Sequence, residues 1–192
     1  MSNLVYGMGI YITGKYDSTK NRRQTVAYRT WNDMLRRCYS DKYHAKKPTY
    51  IDCDVCCDWL DFQSFAHWYV NHKYFGMSYH LDKDLLSAGN KIYHPDNCTL
   101  IPQEINKLLT NSGATRGRYP QGVSYHKRVR RFSASMNKNN KKQHLGYFDT
   151  IEDAANAYRV AKEAHIKDIA NAYRDVIDIR AYNALMNWRL TA

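Results

Sequence analysis

The sequence has 192 residues, of which 44% are hydrophobic, an ordinary fraction for a globular protein that argues against wholesale disorder. Its 29 lysine and arginine residues exceed its 18 acidic residues, and the resulting formal charge of +11 favours a polyanionic partner. No apolar run reaches the roughly 18 residues of a membrane-spanning helix, and the first residues lack the pattern of a signal peptide. We therefore expect a cytoplasmic protein with no membrane partner and with reduced cysteines.

In the first half of the chain, apolar residues recur at three- and four-residue spacing over residues 25–39 and again over 58–72. This spacing predicts two amphipathic helices separated by a loop. Residues 79–86 and 91–101 are typical of two short strands, joined by the turn SAGN. A helix then begins within 102–109, with proline in its first turn.

The pattern changes after residues 111–121, which are rich in Gly, Ser, Asn and Arg and predict a linker. Three short extended runs follow, at 122–131, 131–139 and 143–149. Thr150 and Asp153 form a capping box that begins a long helix, and a further helical stretch covers 167–190. The sequence thus predicts an α+β protein with one domain at 1–110 and a second at 122–192, in which a three-stranded antiparallel sheet packs on a helix and is followed by a C-terminal helix.

Four pieces of the second half keep a characteristic order and spacing. They are Gly122-Val123, Phe132-Ser133-Ala134, His144-Leu145-Gly146-Tyr147-Phe148-Asp149, and Ala154-Ala155 with Ala157-Tyr158. This segment resembles the Apetala-type DNA-binding domain of plant ethylene-response factors, which also occurs in phage and mobile-element proteins. The resemblance implies that the sheet enters the major groove of double-stranded DNA. The candidate contacts are Tyr125, Lys127, Arg128, Arg130, Arg131, Ser133, Lys142 and His144.

The charge distribution agrees with a DNA-binding sheet. Between residues 116 and 149 the only acidic residue is Asp149. The basic residues in the same stretch are Arg116, Arg118, Lys127, Arg128, Arg130, Arg131, Lys138, Lys141 and Lys142. Arginine can read guanine with two hydrogen bonds, whereas lysine mainly attracts phosphates. The alternative is a solvated charged face with no ligand.

The run from Tyr79 to Asn106 resembles the core of HNH endonucleases, in which two strands and a helix hold one divalent metal (a ββα-metal fold). Asp82-Lys83 stands where that family has Asp-His, Pro95-Asp96-Asn97-Cys98 replaces its middle element, and Asn106 falls at the helical ligand. The resemblance implies that Asp82 and Asn106 bind Mg²⁺ or Mn²⁺. His80 or Lys83 would then be the general base, oriented by Asn97.

Phage proteins that resemble the whole chain combine this core with the sheet module and are described as homing-type HNH endonucleases, which implies expression in a bacterial host. A second hypothesis is a DNA-binding regulator or inhibitor that cuts nothing, in which the residues around Asp82 are only a charged strand end. A third is a structural RNA-binding protein. Cys38, Cys53, Cys56 and Cys98 are candidates for a structural zinc site, with buried free thiols as the alternative.

Overall fold

The computed structural model describes residues 4–109, 118–139 and 141–190. It is a mixed α+β structure whose described residues include seven α-helices and several small sheets. The chain divides into two compact units, Met1–Gln103 and Glu104–Ala192. The division falls before the predicted end of the first domain at residue 110, so the helix predicted at 102–109 belongs almost entirely to the second unit. Residues 111–117 of the predicted linker lie outside the described residues.

The helix predicted at 25–39 is confirmed as α1, Val26–Tyr39. Thr25 caps its first turn, since the hydroxyl oxygen accepts a hydrogen bond from the Tyr28 N–H at 3.3 Å. One face of α1 is buried through Trp31, Leu35 and their neighbours along the apolar stripe. A short helix, α2, Asp41–His44, follows within the stretch predicted to be a loop.

The single helix predicted at 58–72 is wrong, because two helices occupy this stretch: α3, Cys57–Leu60, and α4, Phe62–Asn71. Asp61 separates them and caps α4, accepting a hydrogen bond from the Ser64 N–H at 2.8 Å. The Leu60 carbonyl accepts from the Ile10 N–H at 2.8 Å, a contact with a distant segment that the local pattern does not reveal.

Short strands complete the first unit. They are β1, Thr19–Lys20; β2, Arg23–Gln24; β3, Asp54–Val55; β4, His80–Asp82; β5, Ile92–Tyr93; and β6, Thr99–Ile101. The first two form an antiparallel pair, β3 pairs in parallel with β5, and β4 pairs antiparallel with β6. The strand predicted at 91–101 is therefore two strands with different partners. The chain turns between them, where the Asn97 and Cys98 N–H groups both donate to the His94 carbonyl.

Large aromatic side chains dominate the core of the first unit. Trp31, Trp59, Phe62 and Phe65 are almost completely buried, and the indole N–H of Trp31 donates to the Trp59 carbonyl at 2.8 Å. A buried indole needs such a partner, because an unpaired donor away from water is costly. The core thus fixes α1 against α3 and α4.

The second unit contains α5, Gln103–Leu109; β7, Val123–His126; β8, Arg131–Lys138; β9, Lys141–Phe148; α6, Ile151–Ala172; and α7, Ile179–Met186. The strands form the predicted antiparallel sheet in the order β7-β8-β9. Thr150 caps α6 as predicted, accepting from the Asp153 N–H at 3.1 Å. The helix continues to Ala172, well beyond the predicted start of a separate C-terminal stretch.

Two hydrogen bonds fasten α5 to the rest of the second unit. The Tyr173 hydroxyl donates to the Glu104 carboxylate at 2.7 Å, and the Lys162 ammonium donates to the Leu108 carbonyl at 2.6 Å. The second bond satisfies one of the carbonyls that the end of a helix leaves without a partner. In the described part of the chain, no helix has both the length and the apolar character needed to cross a membrane.

Candidate functional site

The sheet of the second unit has two faces of different chemistry. Val123, Ala134 and Met136 are buried on the face that packs on α6. Lys138 lies on the same face, because its ammonium pairs with Asp168 of α6 at 3.2 Å. Side chains alternate along a strand, so the residues between these point away from the helix.

We call this opposite side the outer face. By alternation and register it carries Ser124, His126, Arg131, Ser133, Ser135, Asn137, Lys142, His144 and Tyr147. These side chains are polar or aromatic, and none belongs to the buried core of the described residues. A face of this composition can meet a charged partner without an apolar surface being left in water.

A β-bulge in β9 determines which of its side chains lie on each face of the sheet. Ala134 pairs with Gly146 whereas Ser135 pairs with His144, which leaves Leu145 as an extra residue that packs against the core. Gly146 has a φ of +144°, a value that side-chain-bearing residues rarely adopt. The bulge turns His144 and Lys142 to the outer face.

The structure brings four of the predicted contacts together on the outer face: Arg131, Ser133, Lys142 and His144. A fifth predicted contact in the strands, Tyr125, lies on the other face of the sheet. It lies two residues after the buried Val123, and its ring packs edge-on against Phe132 with 5.2 Å between centroids. Tyr125 therefore lies on the helix side of the sheet, at the edge strand.

The three remaining predicted contacts, Lys127, Arg128 and Arg130, lie in the turn between β7 and β8 and are exposed. Two bonds to His126 shape this turn: its carbonyl accepts from the Arg130 N–H at 2.8 Å, and its Nδ1 accepts from the Val129 N–H at 3.3 Å. Arg130 adopts a left-handed φ of +57° to close the turn. Three cations are thereby concentrated at one end of the outer face.

Five residues of this face are absent from the predicted contacts: Ser124, His126, Ser135, Asn137 and Tyr147. Asp149, directly after β9, is absent from them as well. The ring of Tyr147 lies 5.4 Å from that of His126 and 4.6 Å from that of His144. The Asp149 carboxylate accepts two hydrogen bonds from Arg131, at 2.8 Å from Nε and 3.0 Å from Nη2. The available signal was strand alternation, which places Tyr147 on the same face as Ser133. The two residues pair directly across β8 and β9.

A second candidate site surrounds the end of β4, where His80 and Asp82 share one side of the strand. Asp82 Oδ1 accepts hydrogen bonds from the N–H groups of Asp84 at 3.0 Å and Leu85 at 2.8 Å. Burial raises the pKa of the Asp82 carboxyl, and the two N–H donors only partly offset this effect. This carboxylate therefore supports the turn after β4.

Lys83 points to the other side, into the core, and only 6% of it is exposed. Its ammonium donates to the Asp84 carboxylate and, at 2.8 Å, to the Asn90 carbonyl. Burial lowers the pKa of Lys83, but the contact with Asp84 outweighs it and the net direction is upward. A raised pKa favours the protonated amine, which cannot accept a proton as a general base does, and the two contacts give Lys83 a role in supporting the following loop.

The remaining predicted nuclease residues are spread over both units. Asn97 lies in the turn before β6, and no hydrogen bond joins it to His80 among the described residues. Asn106 lies on α5 in the second unit, whereas Asp82 lies in the first. Within the described ranges, no group of three or more His, Cys, Asp or Glu side chains is arranged to hold a metal ion. Of the two predicted metal ligands, the first unit thus contributes Asp82 alone.

The four candidate zinc ligands are likewise not assembled into such a group in the described part of the chain. Cys38, Cys53 and Cys98 are buried and Cys56 is half-buried, all as free thiols. Burial raises the pKa of Cys38 and of Cys98 to about 12. Such thiols behave as small apolar groups in the core.

Comparisons with known proteins give no match: no family model, no curated protein and no solved structure is similar to this chain.

Proposed function

We propose that this protein binds double-stranded DNA through the outer face of the second unit's sheet. The observation that carries the proposal is the segregation of the sheet, with apolar residues buried against α6 and polar, aromatic and cationic residues on the opposite face. The exposed cations Lys127, Arg128 and Arg130 extend this face at one end, and Lys142 extends it at the other. Each cation that meets a phosphate releases condensed counterions.

The dimensions of the sheet suit the major groove. Neighbouring strands lie about 4.8 Å apart, so three strands span roughly 10 Å, and the groove of B-form DNA is about 12 Å wide. The end of the sheet at the β7–β8 turn would approach one phosphate backbone. Ser133, His144 and the rings beside them would then face the base edges.

Arg131 is the residue best suited to read a base. Asp149 holds its guanidinium through Nε and Nη2, so that the arginine does not have to be ordered when DNA binds. The contact with Asp149 does not use Nη1 or the second hydrogen of Nη2, and together these can donate to the two acceptors of guanine. Asp149 would thus act as a positioning residue.

The same face is poorly suited to double-stranded RNA, because the major groove of an A-form helix is too deep and narrow to admit a sheet. A comparison of duplex DNA with duplex RNA of the same sequence therefore tests the proposal. Fluorescence anisotropy at several salt concentrations should show tighter binding to DNA, with a steep salt dependence.

The decisive variant combines Lys127→Ala with Arg128→Ala. If each residue meets one phosphate, the slope of log K against log salt should fall by about two units. Arg159→Ala is the matched control, because Arg159 is an exposed arginine of α6, on the other side of the sheet. Equal slopes for the double variant and the wild type would move the binding surface elsewhere and contradict the proposal.

A metal-dependent nuclease is a second candidate function. It is supported by the antiparallel pairing of β4 with β6, which α5 follows in the chain, and by Asp82 at the end of β4. The side chains around Asp82 would need further ligands to hold Mg²⁺ or Mn²⁺. Cleavage of plasmid DNA with each metal, lost in Asp82→Asn, would support this function. Cleavage that survives the substitution would remove Asp82 from it.

A further inference from the structure

A cleft of about 480 Å³ lies in the first unit between α1, the segment after α4, and β4. It lies outside the sheet of the second unit, and of its lining residues the nuclease hypothesis uses His80. Its lining includes the cationic or titratable side chains of Arg29, Arg37 and His80, and also Asp33, together with the rings of Phe75 and Tyr79. Cations and aromatic rings therefore share one concave surface.

The cations of this cleft are not neutralised by the carboxylate beside them. Asp33 already pairs with Arg36, whose Nη2 lies 2.8 Å from its carboxylate. Among the described residues, Arg29 and Arg37 have no ion-pair partner. The cleft consequently has a net positive charge that favours an anion.

Arg37 is the most informative of these residues. Its Nε is buried with no hydrogen-bond partner, its Nη1 donates to the Tyr93 hydroxyl at 3.5 Å, and its guanidinium carbon lies 5.8 Å from the centre of the Tyr50 ring. A buried N–H of a guanidinium normally has a hydrogen-bond partner, because leaving that donor unsatisfied is costly. Phosphate is a fitting partner, since it accepts several hydrogen bonds from a planar guanidinium.

The aromatic side of the cleft indicates what the phosphate is attached to. Phe75 is 44% exposed, and its ring packs edge-on against Tyr69 with 5.6 Å between centroids. Exposed rings next to cations are the elements that bind nucleotides, because bases stack on rings while phosphates pair with the cations. The volume of the cleft, about 480 Å³, is in the range of small-molecule sites.

We propose that this cleft binds a nucleotide, with its phosphate against Arg29, Arg37 and His80 and its base against Phe75 and Tyr79. The ligand is either a free mononucleotide or one nucleotide of a single strand, which share the same chemistry. This site extends beyond the proposed function, because it lies on the other unit from the sheet.

The test is calorimetric titration of the full chain with 5′-deoxyadenosine monophosphate. Arg29→Glu should weaken binding by at least about tenfold, since it replaces one charged contact by a repulsive one. The residue is exposed, so the substitution leaves the core intact. Arg23→Glu, an equal charge change on the exposed strand β2 outside the cleft, should leave binding unchanged.

Two further ligands complete the experiment. Deoxyadenosine, which lacks the phosphate, should bind more weakly than the monophosphate. A short 5′-phosphorylated oligodeoxyadenylate that binds more tightly than the monophosphate identifies a strand as the source, and equal or weaker binding identifies the free nucleotide. Absence of monophosphate binding, or binding that Arg29→Glu leaves unchanged, would overturn the proposal. Duplex binding by the sheet is measured separately, with Lys127→Ala and Arg128→Ala. The proposal of a nucleotide site and the proposal of a DNA-binding sheet can therefore be contradicted independently of each other.

Discussion

The ring of Tyr158 on α6 covers Gly122 at the start of β7 so closely that a Cβ on the glycine would lie 2.0 Å from Tyr158 Cδ2. Gly122 also has a φ of +77°, which strains any other residue. We expect Gly122→Ala to destabilise the second unit by at least about 3 kcal/mol, because backbone strain and overpacking add. Hydrogen exchange of the β8 amides measures the loss, and duplex binding should weaken with it.

Gly89→Ala separates the cost of backbone strain from the cost of overpacking. Gly89 has a similar φ of +76° but no atom within 4 Å of the added Cβ, so only the backbone cost of about 1 kcal/mol should remain. Equal losses for the two variants would show that the contact with Tyr158 is not tight.

The Arg131–Asp149 pair should matter for specificity more than for stability. Both side chains are largely exposed, so Asp149→Asn should change the free energy of unfolding by less than about 1 kcal/mol. In duplex binding it should reduce the preference for the best site over a mutated one, because the guanidinium is no longer held in place. Competition between two duplexes measures this ratio. Glu152→Gln, in the exposed first turn of α6, is the control for the loss of a negative charge. The loss of charge by itself would strengthen binding to both duplexes.

The second unit should become less stable in mild acid because of His165. This residue is only 6% exposed and its Nδ1 is buried without a partner. Burial, together with Lys138 and Lys162, lowers its pKa below the ordinary 6.5. The neutral ring is thus favoured by folding. The stability that the neutral ring contributes is complete above about pH 6.5, the ordinary pKa that applies in the unfolded chain. It is lost as the pH falls through the lower pKa of the folded protein.

His165→Leu tests this prediction through thermal unfolding between pH 7.5 and 5. The variant should be less sensitive to acid than the wild type and about 1 kcal/mol more stable at neutral pH, since an unpaired buried nitrogen is removed. His144→Gln on the exposed outer face is the control and should keep the pH dependence of the wild type. A pH profile unchanged by His165→Leu would assign the acid sensitivity to other groups.

Lys83 should behave as a structural residue. Lys83→Met removes the ammonium that joins Asp84 to the Asn90 carbonyl, and we expect a loss of about 2 kcal/mol in the first unit. Lys42→Met, on the exposed α2, should cost less than about 0.5 kcal/mol. Duplex binding by the second unit should not change. Denaturant unfolding followed by tryptophan fluorescence reports mainly on this unit, which contains Trp31, Trp59 and Trp68, whereas the second unit contains Trp188. A variant as stable as the wild type would show that the amine does not support the loop.

The elements that could be predicted are those whose signals are local. The apolar period of α1, the alternation of β8 and the Thr150 cap each depend on residues within a few positions of one another. The order and antiparallel pairing of β7, β8 and β9 followed because short turns connect them. The candidate contacts came instead from the resemblance to the Apetala-type domain and from the positive charge of this segment, and they stay predictions.

What the sequence analysis missed depends on distant contacts. The parallel pairing of β3 with β5 joins Asp54 to Ile92, and it divides a stretch that otherwise resembles one strand. Lys83 has the sequence context of an exposed strand end, and only the structure shows the Asn90 carbonyl and the Tyr93 ring that surround its ammonium. Tyr125 is different, since the two-residue period from Val123 already indicated the helix side.

The attachment of α5 to the C-terminal helices changes where the polypeptide should be divided for separate expression. A fragment that begins at residue 122 leaves the half-buried Lys162 ammonium without the Leu108 carbonyl and Tyr173 without Glu104. One that begins at residue 104 retains both bonds and should melt at the higher temperature. A fragment whose boundary is placed at the glycine-rich stretch would therefore be less stable, and its measured affinity for DNA would be too low.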